Sequence, residues 1–86
     1  ANYPNPFNSQ TTIRFVLPES RTVRLAIYDV SGRLVKTLDE GACNAGEHSV
    51  VWDGLNEMGE VASSGVYFYR ITAGDWNATR RLVMVK

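Results

Sequence analysis

The last third of the chain limits the fold more than any other stretch. Gly65-Val66-Tyr67-Phe68-Tyr69-Arg70-Ile71 and Arg80-Arg81-Leu82-Val83-Met84-Val85-Lys86 are two runs of β-branched and aromatic residues, with Gly74-Asp75 between them. Such residues fit a pleated, half-buried surface, and a small pair tolerant of left-handed backbone is the signal of a tight hairpin. A two-residue turn sets Ile71 opposite Ala78, Tyr69 opposite Arg80 and Tyr67 opposite Leu82 on one side of the ribbon. Val66, Phe68, Arg81, Val83 and Val85 then lie on the other side. Both sides are substantially apolar, although a strand in a sandwich needs only one apolar face. The surplus face is therefore covered by the chain's own lead-in, covered by a neighbouring domain, or read by a partner protein.

The rest of the chain follows the same period of two. Ile13, Phe15 and Leu17 alternate with Thr12, Arg14 and Val16, and Pro18 ends that run. Residues 21–30 form a second strand, with Val23, Leu25 and Ile27 on its buried face. Ser31-Gly32 makes a turn into a third strand over residues 33–38, whose register is open because Leu34 and Val35 are adjacent and point opposite ways. Residues 39–47 read as a loop, residues 48–53 as a short strand carrying Trp52, and residues 53–60 as a loop dense in turn formers. Val61-Ala62 is a possible brief edge strand. Residues 1–10, with two Xaa-Pro steps, form an extended lead-in arm anchored by Tyr3 and Phe7.

No stretch has the spacing of an amphipathic helix over two turns. About seven short strands separated by turn signals predict an all-β, immunoglobulin-like antiparallel sandwich, a single domain over residues 1–86. Phe15, Leu25, Ile27, Trp52, Tyr67, Tyr69 and Ile71 form its expected centre. The length of 86 residues leaves room for one core only.

Nine basic and nine acidic residues cancel, so no overall field selects nucleic acid or an anionic membrane. No apolar run approaches the length of a membrane-spanning helix. The one cysteine, Cys43, sits in an expected turn and is read as a bystander thiol, with no intramolecular disulfide open to it. Nothing in the pattern points to a cofactor. The one histidine, His48, lies between Glu47 and Ser49, but strand neighbours point to opposite faces, so no catalytic triad forms there and the expectation is a non-enzyme. The acids of residues 53–60 depart from EF-hand spacing at Leu55 and Met58, leaving an Asx-type turn or an irregular calcium loop. Asn77-Ala78-Thr79 matches a glycosylation sequon, a weak pattern.

Several motifs in register carry a resemblance. Asn2-Tyr3-Pro4-Asn5-Pro6-Phe7-Asn8, Tyr28-Asp29-Val30-Ser31-Gly32-Arg33, Ala45-Gly46-Glu47-His48 with Trp52-Asp53-Gly54, Ser64-Gly65-Val66-Tyr67-Phe68-Tyr69 and the closing Arg80 to Lys86 together resemble the C-terminal sorting domains of the type IX secretion system. The immunoglobulin-like domain of flagellar hook-capping proteins is similar through the middle and the Gly-x-Tyr strand, and shares less with the two ends. The resemblance implies a module at the C-terminal end of a larger secreted enzyme or adhesin in bacteria of the Bacteroidetes kind. Its cargo would be covalently linked on its N-terminal side. The module would be recognised in the periplasm by an outer-membrane translocon and removed by a signal peptidase, with the cargo reaching the cell surface or the medium. The recognition residues it implies are Gly65, Tyr67, Arg80, Arg81, Leu82, Val83, Val85 and Lys86. Arg80-Arg81 departs from the Lys-Lys that is frequent in that family, which keeps the charge and changes the donor geometry. A different class of function, a structural immunoglobulin-like spacer or cap domain of a secreted multidomain protein, fits the same fold.

Overall fold

The computed structural model describes residues 2–85, and for Asn2 the backbone alone. Its strands are β1 (Asn2–Tyr3), β2 (Thr11–Leu17), β3 (Arg21–Asp29), β4 (Leu34–Cys43), β5 (Gly46–Trp52), β6 (Gly65–Ala73) and β7 (Trp76–Met84). Six are long and β1 is a two-residue piece of the arm. One sheet has the order β1-β2-β5 and the other β4-β3-β6-β7, with antiparallel neighbours throughout. The architecture is the immunoglobulin-like sandwich that the strand pattern predicts.

The core forms where the alternating faces meet. Ile13, Phe15 and Leu17 of β2 turn inward toward Val23, Leu25 and Ile27 of β3 and Tyr67, Tyr69 and Ile71 of β6. Trp52, at the end of β5, is fully enclosed and takes Phe7 and Tyr67 edge-on at ring-centroid distances of 5.6 and 5.4 Å. Aromatic pairs in that geometry contribute about 0.5–1.5 kcal/mol beyond the burial of their surface. Both polar handles are satisfied: Trp52 Nε1 donates to Leu55 O at 3.0 Å and the Tyr67 hydroxyl to Ser63 O at 2.6 Å. No disulfide contributes, and Cys43 is a free thiol.

The third strand runs further than its apolar pattern suggests. Residues 39–43, expected in a loop, continue β4 to Cys43, which is half-buried against the core rather than placed in a turn. β4 is a sheet edge, so backbone pairing to β3 sustains it with little apolar content. Two bulges resolve its register: Tyr28 pairs with Leu34 and Ile27 with Lys36, then Ala26 with Thr37 and Leu25 with Asp39. The skipped residues are Val35 and Leu38, and a bulge re-aims the extra residue. Both are thereby packed on the core, whereas Leu34 is left exposed.

Two further expectations change. Val61-Ala62 makes only an isolated bridge, Leu55 with Val61, rather than a strand. Of the two arm aromatics, Phe7 is buried at 2 % exposure and Tyr3 stands in solvent at 81 %. Tyr3 lies beside Thr12 at the rim of the smaller sheet, and the chain reaches the gap between the sheets only at Phe7.

Candidate interaction site

The hairpin has the register its two-residue turn dictates. Ala73 pairs with Trp76, Ile71 with Ala78, Tyr69 with Arg80, Tyr67 with Leu82 and Gly65 with Met84. Gly74 has φ +62° and Asp75 has no positive φ, the combination of a type II′ turn, whose twist matches that of the flanking strands.

Alternation divides the expected recognition residues between two faces. Tyr67 and Leu82 point inward and are buried, at 7 and 0 % exposure, so they hold the ribbon to the core. Gly65 opens β6 and is half-exposed. Arg81, opposite Phe68, and Val83, opposite Val66, lie on the outer face, and Val85 follows at 51 % exposure. Arg80, opposite Tyr69, is exposed on the other face, so the two arginines do not act as one cationic pair. Lys86 lies outside the described residues.

The outer face extends beyond the hairpin. Tyr28 of β3 pairs with Phe68, which pairs with Arg81, giving a row across three strands, and Arg70 pairs with Thr79 one step along. Arg24 Nη1 donates to the Tyr28 hydroxyl at 2.7 Å, and Ala26, on the same face between them, is fully buried. The resulting strip, with half-buried Val66, Phe68 and Val83 among Arg70 and Arg81, joins apolar surface to cationic heads. Tyr28 and Arg70 are not among the expected recognition residues, and the spacing of two from Phe68 is the signal that places Arg70 there.

The edge of β7 carries the arm. Phe7 N–H donates to Val83 O at 2.9 Å and Val85 N–H to Phe7 O at 2.8 Å, a parallel bridge of Phe7 with Met84. The Asn5 side chain spans the same edge: Oδ1 accepts from Val83 N–H at 3.0 Å and Nδ2 donates to Arg81 O at 3.2 Å. The Thr11 hydroxyl, buried at the start of β2, donates to Pro4 O at 2.8 Å and fixes the arm on its other side. The arm thus caps the edge of the ribbon, and its Pro4, Pro6, Phe7 and Asn8 line a hollow together with Val85.

His48 and the polar loops have structural partners. His48 lies half-buried and stacked on Phe15 at 5.2 Å, with Nε2 2.6 Å from Asn44 O. In the loop after β5, Asp53 accepts from Leu55 N–H, Asn56 Oδ1 from the N–H groups of Met58 and Glu60, and Glu57 from Thr37 N–H. Among the described residues no three His, Cys, Asp or Glu side chains converge on one point. At the β3–β4 turn Asp29 Oδ1 accepts from the Ser31 hydroxyl and from the N–H groups of Ser31 and Arg33. These bonds, the Ser31 hydroxyl first, hold its carboxyl below the usual range. Burial pushes the Tyr69 phenol up, with nearby Arg80 opposing the shift.

An antiparallel sandwich whose polar groups serve turns and edges, and whose uncommitted side chains lie on a sheet face, defines the class: an immunoglobulin-like β-domain. The chain belongs to the FlgD Ig-like domain family, whose model matches residues 5–77. It is 40 % identical over 53 residues to the basal-body rod modification protein FlgD of Salmonella typhimurium, a stretch covering 62 % of this chain and 23 % of that protein. The chain therefore corresponds to about a quarter of the length of that curated relative. Its fold is similar to part of dimeric latent PorU from Porphyromonas gingivalis (TM-score 0.80, 23 % identity, 99 % of this chain and 9 % of that one). It is also similar to part of PorZ, a surface component of the type IX secretion system of the same bacterium (TM-score 0.70, 22 % identity, 100 % of this chain and 11 % of that one).

Proposed function

We propose that this domain is a non-enzymatic sorting module, carried at the C-terminal end of a larger exported protein and directing that cargo across the outer membrane by type IX secretion. The outer face of the β6–β7 ribbon, with Arg81, Val83 and Val85, is the surface the translocon reads, and the processing signal peptidase acts on the same module. The module passes through the periplasm and its cargo ends at the cell surface or in the medium.

One observation carries this reading. The two motifs that most distinguish the sorting-domain resemblance, the Pro-Asn-Pro-Phe opening and the basic-then-apolar ending, are bonded to each other although 76 and 78 residues separate the partners. They form one structural unit on one edge. The flagellar family match ends at residue 77, so most of β7 lies beyond it. A reporter fused ahead of residue 1 is expected to leave cells that possess this secretion machinery. Paired Val83→Ser and Val85→Ser should abolish export while the domain still melts cooperatively, because Val83 is half-exposed on the outer face and Val85 is 51 % exposed, neither belonging to the core. Continued export of that variant would reject the reading.

The family match favours a second reading, a structural domain in an assembled cap or a spacer, by analogy with the FlgD proteins. A spacer tolerates coding sequence after Lys86 and a C-terminal signal does not, so the reading frame beyond Lys86 separates the two.

A further inference from the structure

The chain closes one seam of its own sandwich only halfway. On the side where the edge of β2 faces the edge of β7, the arm lies first along β2, with Asn2 opposite Ile13 and Tyr3 opposite Thr12. It then crosses to β7 and inserts Phe7 between the sheets. Beyond it, from Arg14 on β2 and back to Trp76 on β7, no described strand covers either edge. A groove of about 290 Å³ opens there, lined among others by Arg14, Phe15, Tyr69, Trp76, Ala78 and Arg80.

Three features equip this groove for an extended peptide. First, Val83 and Val85 turn their backbone groups outward to the arm, and the alternation of an unbulged antiparallel strand turns those of Asn77, Thr79 and Arg81 outward as well. Arg80 Nη1 covers Thr79 O and Asn5 covers Arg81 O, but the N–H groups of Asn77, Thr79 and Arg81 have no partner among the described residues. Second, Tyr69 is 1 % exposed and its hydroxyl has no hydrogen bond to a described residue. Among the described residues no buried polar side-chain atom lacks a partner, so that oxygen is the part of Tyr69 that opens into the groove. Third, among the described residues two arginines and no acid line the groove; Asp75 in the adjoining turn and Glu47, opposite Val16 on β5, stand outside it.

We propose that this half-open seam binds an extended acidic peptide segment of a partner protein, added as a strand to β7 at residues 77–81. An apolar side chain of the peptide seats between Phe15 and Trp76, which is 48 % exposed, as Phe7 does in the closed half. A neighbouring carboxylate lies between Arg14 and Arg80 and accepts from the Tyr69 hydroxyl. The arm supplies the precedent: the same edge already pairs with a short piece of chain at Phe7, whose ring inserts between the sheets. Backbone pairing gives affinity in this mode, and alternate side chains give specificity. The inference holds under either reading of the domain's role.

The test titrates the 15N-labelled domain with two capped heptapeptides, one alternating glutamate with valine and phenylalanine, the other with lysine in place of glutamate. The glutamate peptide should shift the amides of residues 14–16 and 77–81 and the Trp76 indole saturably, and should bind at least tenfold more tightly than the lysine peptide. Arg80→Glu should weaken it at least tenfold. Thr79→Pro, which removes an outward N–H at a position where an edge strand tolerates proline, should do the same. Thermal unfolding confirms that each variant remains folded. Equal binding of the two peptides, shifts that avoid these amides, or undiminished binding by both folded variants would overturn the proposal. So would self-association of the free domain through the same amides, which would make a second copy the occupant.

Discussion

Phe7→Ala tests whether the arm is part of the folded domain or an appendage lying on it. The ring is buried at 2 % exposure against Trp52, and removing it deletes a large core side chain and one edge-on aromatic pair. Phe→Ala at a buried site costs about 3–5 kcal/mol, transfer and cavity together. A chain of 86 residues has a total stability of roughly 4–13 kcal/mol, so the loss is a large share of it. The arm is terminal, however, and can undock without unfolding the sandwich. The measured loss therefore saturates at the free energy of arm docking if that is smaller than the full cavity cost. Urea denaturation reports the global loss, and native-state hydrogen exchange separates the two cases. Val83 and Val85 donate their amides to Asn5 and Phe7, so those two should lose protection first, ahead of even-numbered β7 amides paired to β6. Asn5→Ala removes two side-chain bonds, worth about 0.5–1.5 kcal/mol each, and should weaken protection at Val83 without opening a cavity. A global loss below about 1 kcal/mol for Phe7→Ala, with exchange at Val85 unchanged, would refute the view that the two chain ends are locked together.

Gly74→Ala places a Cβ at φ +62° and should destabilise the domain by about 1–2 kcal/mol in urea melts; the close approach to Arg21 Nη1 adds little, because that side chain can move. The Asp29 carboxyl is held below its ordinary value, so its stabilising contribution is complete above the ordinary carboxylate range and disappears as pH falls through the lowered folded value. Asp29→Ala should therefore lower the melting temperature at neutral pH and flatten its decline between about pH 5 and 2. The Tyr69 phenol is raised, so the sign reverses: its contribution is complete below the ordinary phenol value of 10.0 and is lost as pH rises past it. Tyr69→Phe should remove that alkaline loss, as followed by thermal unfolding monitored by circular dichroism.

The inward faces of β2, β3 and β6 are legible because each strand alternates cleanly and one face is wholly buried. The hairpin register follows from the two-residue turn, since a turn of fixed length leaves no freedom in pairing. What escapes is whatever depends on edges. β4 passes for a loop after Leu38 because an edge strand needs backbone partners more than apolar side chains. Val35 and Leu38 confuse the period because bulges, invisible to strict alternation, turn both inward. Tyr3 and Phe7 look equivalent in the arm, yet the chain bends over residues 4–6 and passes from the rim of one sheet to the gap between the two, so that only Phe7 is buried. The mixed set of recognition residues has the same origin: a linear motif reads Leu82 and Val83 together, and the pleat sends one into the core and the other to the outer face.

The arrangement of Arg80 and Arg81 bears on how any partner can use this ribbon. β7 is a nine-residue edge strand, and long unpaired edges invite uncontrolled pairing with other chains. The arm covers the distal part of that edge, and a charge on each face follows in the part it leaves open: Arg81 beside Phe68, Arg80 beside the seam. Each cation hinders an apolar strand from stacking against its face, while an acidic segment meets no such penalty. The same two residues therefore guard against aggregation and select for partner charge, and each does so on a different face. A partner engaging the outer strip through Arg81 and one entering the seam beside Arg80 can be told apart by substituting a single arginine at a time, although the two are neighbours in the chain.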